Sequence, residues 1–365
     1  MLLAVHESRG PRGPGRYALT EPEHGHVWGV CAEVDGLFRE PRRATYVLLG
    51  WVPDNAEVLG WVGSRVWLVP EDGTDDVWLL EDAESLGRHP RTDDLVLTGT
   101  DDYLGPPEGH RAPVRLHDGY RWLGSCREFA RVLPEEQAAP PVVLRGLAPS
   151  DRLRQALASG TRHVPELGEA FLEIRGDNGE PLTDRLLRPA VRAWRPSPRG
   201  PDLIDLELDA EIHRPVPGHA RPVWDRWFAG PPEAPGAWAR LGARQREVWL
   251  ELVRERGCLL THEPPPAGRA YELDGRNVTD EPGLFLALGE AVNGPGGYFG
   301  GCVDALVDCL HGGFGHTAPA TLLWRDIATA REHLSRLLSP DGEPYDLVAL
   351  VLDVLAERRV HVTLT

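Results

Sequence analysis

The pattern of apolar and polar positions changes character twice along the 365 residues. Up to about residue 133, apolar and polar positions alternate over short runs broken by Pro, Gly and Asp clusters. Successive side chains of a strand face opposite sides, so this alternation predicts strands near 43–52, 66–69, 77–80 and 95–97. A Pro- and Glu-bearing stretch at 133–141 reads as a linker or exposed connection. Between about 142 and 258, strand-like pieces at 170–174 and 203–208 precede a helix at 241–256, in which Trp249, Leu250 and Val253 share a face. Pro264-Pro265-Pro266 marks a second break.

From about Gly268 onward, strands and helices alternate. Strand 270–273 is followed by helix 284–292, opened by Glu281-Pro282, and by a glycine-rich loop at 293–301. Then come helix 302–310, strand 321–324, helices 327–338 and 345–357, and a closing strand at 360–364. Strands separated by helices predict a small parallel sheet covered by helices. The expected fold class is multidomain: a β-rich region 1–133, an α+β segment 142–258 that is a second domain or a continuation of the first, and an α/β domain 268–365.

Two local features sit on the β-rich part. Trp28-Gly29-Val30-Cys31-Ala32-Glu33 and Trp122-Leu123-Gly124-Ser125-Cys126-Arg127-Glu128 share a Trp, a Cys and a Glu with one residue of slippage. A duplicated unit would leave such a trace, and so would chance. Eleven of the twelve tryptophans precede residue 268. Trp51, Trp61, Trp67 and Trp78 read as fillers of a β core more readily than as a binding platform. Trp224 and Trp227 lie in a Pro/Gly-rich context where full burial is harder to arrange.

Charge narrows the chemistry. All 39 basic residues are arginine, against 56 carboxylates, for a net charge of -17. Without lysine there is no Walker-type phosphate loop, no protein-kinase site and no Schiff-base enzyme. The acidic balance argues against direct nucleic-acid binding, which draws its affinity from neutralised phosphates, and favours a partner with a basic face. The start, 1–7, reaches a charge too soon for a signal peptide, and no apolar run nears the roughly 20 residues of a membrane span. The run 347–352 is stopped by Asp353. Five cysteines without a Cys-x-x-Cys fit a reducing compartment, so the expectation is a soluble, cytoplasmic protein with no membrane partner.

Other constellations carry little. The loop 294–300 nearly spells a dinucleotide fingerprint, but Phe299 stands where the third glycine belongs. His24 and His26 form at most a stray ligand pair, and no zinc-type spacing or nucleophile elbow occurs. Cys302 and Cys309 read as core thiols, and Asp93-Asp94 and Asp101-Asp102 as solvated turns. The expectation is no cofactor, no metal and no catalytic residue.

One helix is informative. In 302–310, Val303, Leu306, Val307 and Leu310 form an apolar stripe, while Asp304 and Asp308 are four apart and project from one face. Like charges at that spacing cost a few tenths of a kcal/mol. Asp304 regains this near the positive end of the helix dipole, and Asp308 does not. A local rule broken without local gain points to function.

The segment Tyr298-Phe299-Gly300-Gly301-Cys302-Val303-Asp304-Ala305-Leu306-Val307-Asp308-Cys309-Leu310 resembles the signature of the barstar family, intracellular inhibitors of barnase-type ribonucleases, and the likeness extends over about 268–365. The resemblance implies an α/β fold with a three-stranded parallel sheet, whose second helix and preceding loop plug a ribonuclease active site. On that likeness Asp308 is the phosphate-mimicking carboxylate, Asp304 its acidic neighbour, and Tyr298 the aromatic that meets the partner. Gly300 and Gly312 lie in contacting loops, Val307 on the contacting helix, and Asp353 in the place of an auxiliary acid. The chain departs from the family pattern at Gly301-Cys302 (Glu-Asn in the family), at Val307 (Trp) and at Gly313, where the family loop carries an aromatic. Two readings follow. In the first, the chain is an inhibitor or immunity protein whose partner is a basic ribonuclease or nuclease toxin. In the second, the barstar-like domain is a generic interaction module and the N-terminal β region carries the main ligand-binding or assembly role.

Overall fold

The computed structural model describes residues 15–22, 25–55, 59–71, 73, 76–101, 104–107, 110–132, 141–158 and 167–365. The N-terminal start 1–7, His24, Asp102 and the linker at 133–140 lie outside the described residues. The chain divides into two compact units, Met1–Pro41 with Gln137–Pro232, and Arg42–Glu136 with Glu233–Thr365. Strand pairing therefore cuts across the linear division expected from composition, because strands before residue 41 complete a sheet with strands after residue 141.

In the first unit the sheet runs Pro181–Leu187, Ala170–Arg175, Tyr17–Thr20, Val27–Cys31, Val142–Pro149, Ile204–Asp209, Ala190–Pro196, with Glu33–Asp35 also paired to Val142–Pro149. A short helix, Arg221–Phe228, buries Trp224 and Trp227 to 2 % exposure each. Their Pro/Gly-rich flanks did not keep them exposed. Phe38 meets Trp224 edge-on at 5.9 Å and Arg185 lies over its ring at 5.3 Å, so the neighbourhood supplies both apolar and cation–π contact.

In the second unit the strands are longer than the sequence suggests: Gly60–Pro70 and Trp78–Arg88 have 11 residues each. Their sheet runs Glu128–Val132, Ala44–Leu49, Leu95–Thr100, Trp78–Arg88, Gly60–Pro70, Val114–His117, Trp122–Cys126, Val52–Pro53. Its two ends are continuous in the chain with strands already in the sheet, so the circuit closes as a barrel, filled by Tyr46, Leu48, Val66, Leu68, Leu80 and Leu116. Of the four tryptophans expected in a β core, Trp78 is buried and Trp51 packs from the edge, whereas Trp61 and Trp67 stay half-buried. The pairs expected as solvated turns are partly structural: Asp94 is buried and accepts the Gly50 N–H at 2.7 Å, and Asp101 accepts the Tyr46 hydroxyl at 2.7 Å.

The two sheets share one register. Glu128 opposes Leu49 and Phe129 opposes Leu48 in the second, as Glu33 opposes Arg145 and Val34 opposes Leu144 in the first. Further along, Gly124–Pro53 and Ser125–Val52 correspond to Gly29–Pro149 and Val30–Ala148. A left-handed glycine recurs at the same point, Gly50 (φ +68) between Ala44–Leu49 and Val52–Pro53, and Gly146 (φ +64) within Val142–Pro149. Cys31 and Cys126 are both buried, and burial pushes both thiols up to about 12. Even the bulge recurs, between Trp122 and Gly124 and between Leu19 and Thr20. The Trp–Cys–Glu likeness is thus the visible part of a structural duplication. In the first copy the circuit stays open, since no pairing joins Pro181–Leu187 to Ala190–Pro196 among the described residues.

The C-terminal region, also in the second unit, has a three-stranded parallel sheet ordered Ala270–Asp274, Ala320–Arg325, Val360–Leu364. Its helices are Glu281–Asn293, Val303–His311, Ile327–Leu334 and Leu347–Glu357. The third is shorter than expected, because Leu337–Leu338 leaves the helix to pair with Pro344–Tyr345. A helix outside this α/β region, Ala243–Leu259, packs against Glu281–Asn293. Its N-terminal turn is tied to the barrel by Arg244, which reaches Asp82 and Glu84, each at 2.7 Å. The α/β region meets the barrel through Arg65–Glu281 (2.7 Å) and through the Leu338 N–H on the Gly119 carbonyl (2.7 Å).

Candidate functional site

The helix Val303–His311 is set in place by what precedes it. Asp280 caps Glu281–Asn293 by accepting the Gly283 N–H at 2.8 Å. At the far end of that helix, the Asn293 side-chain amide donates to the carbonyls of Tyr298 (2.7 Å) and Phe314 (3.0 Å). One residue therefore holds the two loops on either side of Val303–His311. Gly300 takes φ +92, and a Cβ there would meet the Leu306 Cα at 3.0 Å, so only glycine lets the loop approach the helix this closely.

Leu306, Cys309 and Leu310 are buried, Val307 is half-buried, and Asp304 and Asp308 are exposed on one face. Burial pushes the Cys309 thiol up to about 12. Cys302, expected in the core, is exposed as the N-cap residue. Its side chain makes no capping bond, and Asp304 supplies the negative charge of the first turn. His311 Nδ1 donates to the Val307 carbonyl at 2.8 Å. Gly312 and Gly313 then leave the helix exposed, both with positive φ. Asp353 is exposed on Leu347–Glu357, which packs against Val303–His311. Among the described residues, Asp304, Asp308 and Asp353 carry no hydrogen bond or ion pair to the protein.

Tyr298 is placed differently. It is 5 % exposed, and burial raises the pKa of its hydroxyl. On one side the ring meets Phe314 edge-on at 5.8 Å. On the other lies the backbone of Gly257, where a Cβ would come within 2.5 Å of the Tyr298 Cβ. The aromatic of the loop after the helix, Phe314, is likewise turned inward. The structure thus gathers Asp304, Asp308, Val307 and the loop glycines at one edge of the domain, and seats Tyr298 beneath the helix Ala243–Leu259.

Three positioning residues were not singled out from the sequence. Asn293 stood at the head of the glycine-rich loop, where a side-chain amide could have been suspected of organising it. Gly257 gave no signal. Arg246 looked like an ordinary helix charge, yet it forms a buried ion pair with Asp280 at 3.0 Å. Among the described residues, no group of three or more His, Cys, Asp and Glu side chains is placed to hold a metal, and no helix is long and apolar enough to cross a membrane.

An α/β unit that presents unpaired carboxylates along an exposed helix has the geometry of a protein-binding domain. Residues 269–340 match the family model of barstar, the barnase inhibitor, which shows the C-terminal region to be barstar-like. The N-terminal region matches no family model, and no curated protein matches the chain. The barstar family is one of ribonuclease inhibitors, not of enzymes.

Proposed function

We propose that the protein is a non-enzymatic inhibitor, of the immunity or antitoxin kind, that blocks the basic active site of a ribonuclease or nuclease toxin in the cytoplasm. The observation that carries this reading is the pair Asp304 and Asp308, exposed and without protein partners, on a helix inside the family match. A nuclease cleft holds phosphate with positive charge, and a carboxylate fixed on a helix offers the same charge without a cleavable bond. Asp353 adds a third carboxylate from the neighbouring helix. Seven arginines against fourteen carboxylates in 268–365 give this region a field that draws a basic protein in. Cys302, Val307 and Gly313 make the surround of these carboxylates smaller than in the family, which favours a partner other than barnase itself as the natural target. The test is calorimetric titration of the full chain against barnase and candidate nuclease toxins. Asp308→Ala is expected to weaken binding by about 2 kcal/mol or more, and equal binding by wild type and variant would sink the site.

A further inference from the structure

The barstar-like region does not present its face alone. The helix Ala243–Leu259 lies outside the family match, and its C-terminal turns rest on the loop that leads into Val303–His311. Gly257 sits on Tyr298, and a Cβ at Gly301 would lie 3.9 Å from both Arg254 Cδ and Tyr298 Cε2. Arg254 is thus beside the residue that precedes the N-cap Cys302, a turn away from Asp304. The outer side of the same helix carries Glu251, Arg254, Glu255 and Cys258 at i, i+3, i+4 and i+7, one continuous stripe. Glu251 and Cys258 are exposed, and Glu251 stands 3.7 Å from Arg254.

We infer that the ribonuclease-type partner meets a composite surface, made of Asp304 and Asp308 together with the outer stripe of Ala243–Leu259. Tyr298 is a positioning residue within it, the seat that fixes helix against loop. The inference rests on the proposed inhibitor function and extends it to a region beyond the family. Charge complementarity selects the occupant: Glu251 and Glu255 continue the negative field of Asp304 and Asp308 towards a basic protein, and Arg254 is the one member of the stripe that opposes it. Charges at the edge of an interface act mainly on association rate and are screened by salt.

The test uses the full chain and, as the probe, barnase or whichever of the titrated nuclease toxins it binds, with association rates measured at low and high ionic strength. Arg254→Glu is expected to speed association roughly three- to tenfold at low salt, and Glu251→Arg to slow it by a similar factor. Both effects should fade at about 0.5 M salt, where the screening length falls to a few ångströms. If both charge variants associate as wild type does while Asp308→Ala loses binding, the helix is no part of the surface and the inference is overturned, with the inhibitor reading intact. A wild-type chain that binds neither barnase nor any of the titrated nuclease toxins, or an Asp308→Ala chain that binds equally well, overturns the inhibitor reading and this inference with it.

Discussion

Arg246 and Asp280 form an ion pair at 3.0 Å with both side chains about nine-tenths buried, joining the helix Ala243–Leu259 to the first turn of Glu281–Asn293. The same guanidinium donates to the Ala239 carbonyl (2.7 Å) and the Thr279 hydroxyl (2.9 Å), and it lies over the Trp238 ring at 5.3 Å. The barstar-like region is therefore completed by residues that precede it. Removing one member of a buried pair leaves the other charge uncompensated, so Arg246→Met should destabilise the second unit by about 3 kcal/mol in urea unfolding. A fragment beginning at residue 268 should be less stable than one beginning at 233, since only the longer one keeps Arg246.

Asn293 is the next expected weak point. Asn293→Ala removes donors to the carbonyls of Tyr298 and Phe314 and should cost about 2 kcal/mol. Partner affinity should fall with it, because both loops beside Val303–His311 lose their tie. Unchanged affinity at unchanged stability would show that the loops hold themselves.

Two groups give the stability opposite pH dependences. His117 is buried, accepts the Gly119 N–H on Nδ1 at 3.2 Å and donates from Nε2 to the Pro340 carbonyl at 3.1 Å. Both nitrogens are satisfied in the neutral ring, and burial holds its pKa below the usual histidine value. A depressed pKa contributes stability above the unfolded value of about 6.5 that is lost as pH falls below it. The His117 contribution therefore lowers the melting temperature on acidification from pH 7 to 5. His117→Gln should flatten part of that slope, the remainder belonging to His316 and His262, whose pKa values burial also lowers.

Glu247 runs the other way. Burial raises its carboxyl to about 7, the charges of Glu281 and Glu251 add to this, and Arg65 opposes it. The folded chain then holds a proton between pH 4.5 and 7 that the unfolded chain has released, so this group favours folding more as pH falls through 7. Glu247→Gln should stabilise by about 2 kcal/mol at pH 8, with the gain vanishing near pH 5. Denaturant titrations at the two pH values decide it.

The duplication makes a paired prediction. Gly50 and Gly146 occupy equivalent bends with φ of +68 and +64. Alanine at either should cost about 1–2 kcal/mol, because its Cβ is crowded in the left-handed region. A large cost at one and none at the other would break the equivalence.

The α/β part was legible because its information is local. Each strand of the parallel sheet and each helix of 268–365 announces itself in order, and the sheet follows from their alternation alone; only the short pair Leu337–Leu338 with Pro344–Tyr345 gave no sign. The helix bearing Asp304 and Asp308 was readable for the same reason. The β-rich part was not, since alternation shows that a strand exists and not which strand it joins. Val142–Pro149 pairs with Glu33–Asp35 across more than 100 residues, and the only trace in the sequence was the loose match around Cys31 and Cys126. The burial of Tyr298 had no local sign, because the helix that covers it comes from about 40 residues upstream, beyond the reach of the family signature.

The interleaved register has a consequence for the order of synthesis. The closed barrel is contiguous in the chain, from Ala44 to Val132, and can complete itself as soon as those residues leave the ribosome. Tyr17–Thr20 and Val27–Cys31 are made earlier, yet their outer neighbours Ala170–Arg175 and Val142–Pro149 are made more than 100 residues later. These two strands thus wait as a hairpin with unpaired edges while the second copy closes. That copy is built on the same register, so its early closure is what leaves the waiting strands to their own later partners.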